Sequence, residues 1–61
     1  MNPIQVAQDY AAEEGFDTCP YEDGSVGVMH PRGAALVRPN GQVESFSNPR
    51  LKEVLEKKIA L

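Results

Sequence analysis

Cys19 and His30 are the chain's one cysteine and one histidine. Together they could supply a thiolate nucleophile with its base, or two ligands to a metal ion. A cysteine nucleophile also needs an orienting third group, and a closed zinc site needs four ligands, so the chain supplies too little for either. Cys19 is therefore expected to be a small half-buried apolar residue and His30 a surface residue at a strand end. The carboxylates Glu13, Glu14, Asp17, Glu22 and Asp23 could form an acid/base pair or a hard-cation site. Their spacing does not follow the alternating ligands of a calcium loop, and a solvated acidic face is expected instead. Asp23-Gly24-Ser25-Val26-Gly27 contains two glycines but lacks the glycine spacing and following helix of a phosphate cradle, so these glycines read as turn and strand devices. No catalytic residue, cofactor or metal site is expected.

Arg32, Arg38 and Arg50, with Lys52, could form a basic strip for phosphates, and Phe46 or Tyr21 could add a stacking surface. The sequence pI of about 4.9 opposes binding of a polyanion except at a local patch. The charges are split along the chain. Residues 1–31 carry Asp9, Glu13, Glu14, Asp17, Glu22 and Asp23 with no Lys or Arg, while residues 32–61 carry all six basic residues against Glu44, Glu53 and Glu56. Such a split arises when the two halves neutralise each other across the fold, or when one half presents an interaction surface. Asp9 and Glu13 fall on the flank of the first helix away from its apolar stripe, and Glu14 sits at its end. Asp9, Glu13, Glu14 and Asp17 are therefore the candidate partner-binding residues, expected as an exposed acidic patch that steers a basic partner.

The elements that must position these groups are legible in the spacing. Asn2-Pro3-Ile4-Gln5 reads as a helix start, with Asn2 as cap, Pro3 in the first turn and Gln5 reaching back as in a capping box. Ile4, Ala7 and Ala11 form its apolar stripe, and Gly15 its stop. Phe16 to Tyr21 reads as a short edge strand broken near Pro20, and Val26 to His30 as a second strand. The hairpin Ala34–Arg38 and Gln42–Phe46, joined at Pro39-Asn40-Gly41, is the strongest local signal. Asn-Gly there predicts a type I′ turn with positive φ at both residues. Ser47-Asn48-Pro49 opens a last helix whose Leu51, Val54, Leu55 and Ile59 make one apolar stripe.

These elements predict an α+β fold: an N-terminal helix, a three- to four-stranded antiparallel meander and a C-terminal helix, with both helices covering one sheet face. At 61 residues, with no Trp, two Phe and two Tyr, the core must be thin and the chain a single small domain. Such a chain has little interior with which to wall off the ~300 Å³ a ligand pocket needs. The uncovered sheet face should leave groups such as Val28, Val37 or Phe46 in search of cover, which predicts a homodimer. The start of the chain lacks the basic and apolar runs of a secretory signal, and no stretch reaches the ~20 apolar residues of a membrane helix. The expected function is that of a small cytoplasmic, non-catalytic interaction module that binds a protein partner or its own copy. Two alternatives are an acidic inhibitor or nucleic-acid mimic of the mobile-element type, and nucleic-acid binding through the local basic patch.

Overall fold

The computed structural model describes residues 2–61. The elements follow in the order α1 (Pro3–Glu14), β1 (Asp17–Pro20), β2 (Val26–His30), β3 (Gly33–Val37), β4 (Val43–Phe46) and α2 (Pro49–Ala60). The four strands form one antiparallel meander in the order β1-β2-β3-β4, so the α+β arrangement expected from the sequence is the one observed, with the fourth strand present. Pro20 is accommodated because β1 is an edge strand and Pro20 is its last residue, opposite Val26.

Strand alternation sorts the side chains. Val26, Val28, Ala35, Val37 and Val43 point to one face, where Ala7 and Ala11 of α1 and Leu51 and Leu55 of α2 close over them. Val28 and Val37 are fully covered by these helices, which corrects the expectation that they would seek cover; of the three residues named for that role only Phe46 is exposed. The small Ala7, Ala11 and Ala35 let α1 approach the sheet closely. Ile4, Tyr10, Phe16 and Ile59 complete the rim.

Both helices begin as the sequence implies. The Asn2 side chain accepts the Ile4 N–H at 3.0 Å, the Asn48 side chain accepts the Leu51 N–H at 3.2 Å, and a proline follows each cap. Gln5 does not close a capping box: its amide donates instead to the Asp9 carboxylate at 2.9 Å, one helical turn ahead. Gly15 ends α1 in the left-handed region at φ 76° and hands its N–H to the carbonyls of Ala11 and Ala12.

The Pro39-Asn40-Gly41 turn is not type I′. Gly41 has φ 92° but Asn40 has negative φ, because Pro39 fixes the first turn position at negative φ and gives a three-residue loop. Gly41 N–H reaches the Arg38 carbonyl at 2.9 Å and Arg38 N–H the Gln42 carbonyl at 2.8 Å. This is a type I turn closed by a left-handed glycine. The β1–β2 turn repeats it: Gly24 N–H bonds the Tyr21 carbonyl at 3.1 Å, Tyr21 N–H bonds the Ser25 carbonyl at 2.9 Å, and Gly24 has φ 90°. Asp23 and Asn40 occupy equivalent places, each side chain accepting the N–H two residues on at 2.9 Å. The resemblance of Asp23-Gly24-Ser25-Val26 to Asn40-Gly41-Gln42-Val43 is thus shared turn geometry.

Candidate functional site

The meander places the two long turns at one end of the sheet and the β2–β3 turn, with the start of α2, at the other. At the first end Arg38 donates to Glu44 at 2.7 Å and lies 3.6 Å from Asp23. The Ser25 N–H bond, helped by Arg38, holds the Asp23 carboxyl below the usual carboxylate range. Arg38 is thus engaged by two carboxylates. Arg32 lies beyond the other end of β3, roughly 20 Å away at ~3.3 Å per strand residue. Arg32 and Arg50 come together there. The strip of Arg32, Arg38 and Arg50 drawn from the sequence is therefore two separate places, because one full strand stands between its members.

Arg32 and Arg50 line a groove of about 360 Å³ with Tyr10, His30, Asn48, Leu51 and Val54. This is more space than the thin core suggested, and it lies at the surface where α2, α1 and the β2–β3 turn meet. His30 Nδ1 accepts the Arg32 N–H at 2.9 Å. The Phe16 ring packs edge-on against the His30 ring at 4.7 Å, and Tyr10 packs on Phe16 at 6.0 Å, which fixes the imidazole from behind. Tyr10, Asn48, Leu51 and Val54 were not singled out as site residues from sequence. The overlooked signal is a pair of dipeptides, Pro31-Arg32 and Pro49-Arg50, each opening the turn or helix that follows a strand.

Cys19 and His30 do not meet. Cys19 pairs with Gly27 and so faces outward, whereas His30 belongs to the alternation of Val26 and Val28 on the helix side. Cys19 is also exposed rather than half-buried, as is the whole of the edge strand β1. Among the described residues, no three of His, Cys, Asp and Glu gather closely enough to hold a metal ion.

Asp9, Glu13, Glu14 and Asp17 are all exposed, and among the described residues none of them takes part in an ion pair. Lys58, which lines a groove with Asp9 and Glu13, places its ammonium 5.3 Å from the centre of the Tyr10 ring. Burial, with the Glu14 carboxylate beside it, pushes the Tyr10 phenol up from its ordinary pKa. Because Asp9 and Glu13 are like charges one helical turn apart, replacing both by Gln should leave the melting temperature level or raise it by about 1–2 °C. Thermal denaturation followed by circular dichroism reads this directly. A drop of several degrees would identify the patch as an internal counter-charge.

The face of the sheet away from the helices carries Asp17, Cys19, Gly27, Met29, Ala34, Leu36, Glu44 and Phe46, with Tyr21 laid across Gly27. A Cβ on Gly27 would stand 3.3 Å from the Tyr21 ring, so the absent side chain makes room for that aromatic. Tyr21, Met29 and Phe46 remain 52%, 46% and 54% exposed. Met29, Ala34 and Phe46 sit side by side in register across β2, β3 and β4 and make one apolar row. No helix of the described chain is long and apolar enough to cross a membrane. No protein-family model, curated protein or solved structure matches the chain.

Proposed function

We propose that this protein is a non-catalytic interaction module whose uncovered sheet face pairs with a second copy of the chain. The observation that carries the reading is the row Met29, Ala34 and Phe46, flanked by Leu36 and Tyr21, left without cover on a chain this small. Packing two such faces would bury apolar area that a thin one-sided core cannot supply, at the usual ~10 Å sheet-to-sheet spacing. The acidic flank of α1 lies on the helix side and would stay accessible in such a pair, free to steer a basic partner at a rate that salt reduces.

Sedimentation equilibrium tests the pairing. The expected mass is twice that of the chain at tens of micromolar, and Phe46→Glu, which replaces the largest exposed side chain of the apolar row by a charge at its β4 end, should return it to that of one chain without unfolding it. A single-chain mass for the parent protein at high concentration would remove self-association. The face would then have to serve a different protein.

A further inference from the structure

We propose that the groove formed by His30, Arg32, Asn48 and Arg50 binds a phosphomonoester of a small molecule with a flat or apolar body, of the nucleoside monophosphate class. The polar lining consists of donors. Each guanidinium offers five N–H groups and no acceptor, and neither Arg32 nor Arg50 takes part in an ion pair among the described residues. His30 uses Nδ1 to accept the Arg32 N–H, which puts the proton of the neutral ring on Nε2. Asn48 uses its side-chain oxygen for the Leu51 N–H, so its amide NH₂ is the group left over. Two like charges held in one groove with no counter-charge repel each other, and an acceptor-rich anion between them converts that repulsion into bidentate binding.

The other wall is apolar and aromatic. Tyr10, Leu51 and Val54 face the same space, and about 360 Å³ lies within the ~300–1,000 Å³ range of small-ligand sites. A phosphate alone would leave this wall unused, whereas a base or comparable ring would cover it. The charge distribution then selects a small ligand over a nucleic-acid strand. Arg38, the next arginine, is at the far end of the sheet and already engaged by Asp23 and Glu44. Glu53 lines the adjoining groove along α2 with Arg50 and Lys57, and the Glu14 carboxylate stands beside Tyr10 at the end of α1. A second and third phosphate would therefore meet the Glu53 or Glu14 carboxylate, with Lys57 the one further cation in the adjoining groove.

The test is an amide-resolved NMR titration of the whole chain with adenosine 5′-monophosphate, inorganic phosphate, adenosine and a short oligothymidylate. The mononucleotide is expected to give saturable shifts at Arg32, Gly33, Asn48, Arg50 and Leu51, and to bind at least about tenfold more tightly than either phosphate or adenosine. Arg32→Ala and Arg50→Ala should each weaken it about tenfold, while Arg38→Ala leaves it unchanged. Arg32→Lys and Arg50→Lys keep the charge but lose the fork, and should fall between parent and alanine variants; they decide the matter where an alanine variant fails to fold. Absence of saturable shifts up to ~10 mM, or shifts that survive loss of both arginines, would overturn the proposal. So would phosphate binding as tightly as the mononucleotide, which would leave the apolar wall without a role. Oligothymidylate binding tenfold more tightly than the mononucleotide would replace the small ligand by a single strand and equally overturn it.

Discussion

Leu55→Ala is expected to remove most of the stability of this protein. Leu55 is fully buried and is the largest of the completely enclosed side chains; Val26, Val28 and Val37, which also reach that degree of burial, are smaller. It descends from α2 into a core otherwise made of valines, alanines and Leu51. The valines are held on strands and have one strongly preferred rotamer each, and the alanines have nothing to extend, so the space left by three lost carbons cannot be refilled. Such truncations cost about 2–5 kcal/mol, against a total stability of about 3–9 kcal/mol for a chain of this length. The melting temperature should fall by roughly 10–30 °C. Leu55→Met, which keeps the volume, should cost less than about 1.5 kcal/mol, and Leu61→Ala, at a position 91% exposed, should change almost nothing. Urea and thermal denaturation of the three variants check the order. A Leu55→Ala protein that melts within a few degrees of its parent would mean that the enclosed core does not hold the helices to the sheet.

The features that the sequence made legible are local or periodic. Caps at Asn2 and Asn48, the Gly15 stop, the two turn glycines and the alternation of Val26, Val28, Ala35, Val37 and Val43 each depend on neighbours a few residues away. Where the reading failed, a distant or a stiffer neighbour decided. Pro39 overrode the Asn-Gly preference for a type I′ turn, Asp9 drew Gln5 away from the cap, and both helices together covered Val28 and Val37. The basic strip failed for the same kind of reason, since chain order says nothing about which end of a meander a residue occupies. Arg32 and Arg50 are far apart in sequence and meet because β4 returns to the end of the sheet at which β3 begins. Tyr10 reaches them only through the packing of α1 on β2 and α2, which no short-range pattern encodes.

That corner rests on one glycine, and Gly33→Ala is expected to disturb it more than any other glycine substitution. Gly33 has φ 136°, a conformation that residues with a Cβ rarely adopt. A Cβ there would lie 2.9 Å from Ser47 Oγ, 3.1 Å from Asn48 Cβ and 3.1 Å from the Phe46 carbonyl oxygen. The Ser47 hydroxyl can rotate away. The Phe46 carbonyl cannot, because it belongs to the backbone of β4, and Asn48 is held by its cap bond to Leu51 and by its own N–H on Ser45 Oγ at 3.1 Å. Conformational strain alone costs about 1–3 kcal/mol, and the forced separation of the β2–β3 turn from the start of α2 adds to it. Gly41→Ala supplies the comparison: φ is 92°, but the nearest atoms, Ile59 Cγ2 and Pro3 Cγ, are both 3.7 Å from the added Cβ, so only strain remains, about 1–2 kcal/mol. The Gly33 variant should therefore melt below the Gly41 variant, and only in it should the amide signals of Arg32, Asn48 and Leu51 move while those of the Tyr21–Ser25 turn stay in place. Equal melting temperatures, or unmoved signals at Arg32 and Asn48, would show that the turn carrying Arg32 is not braced against α2.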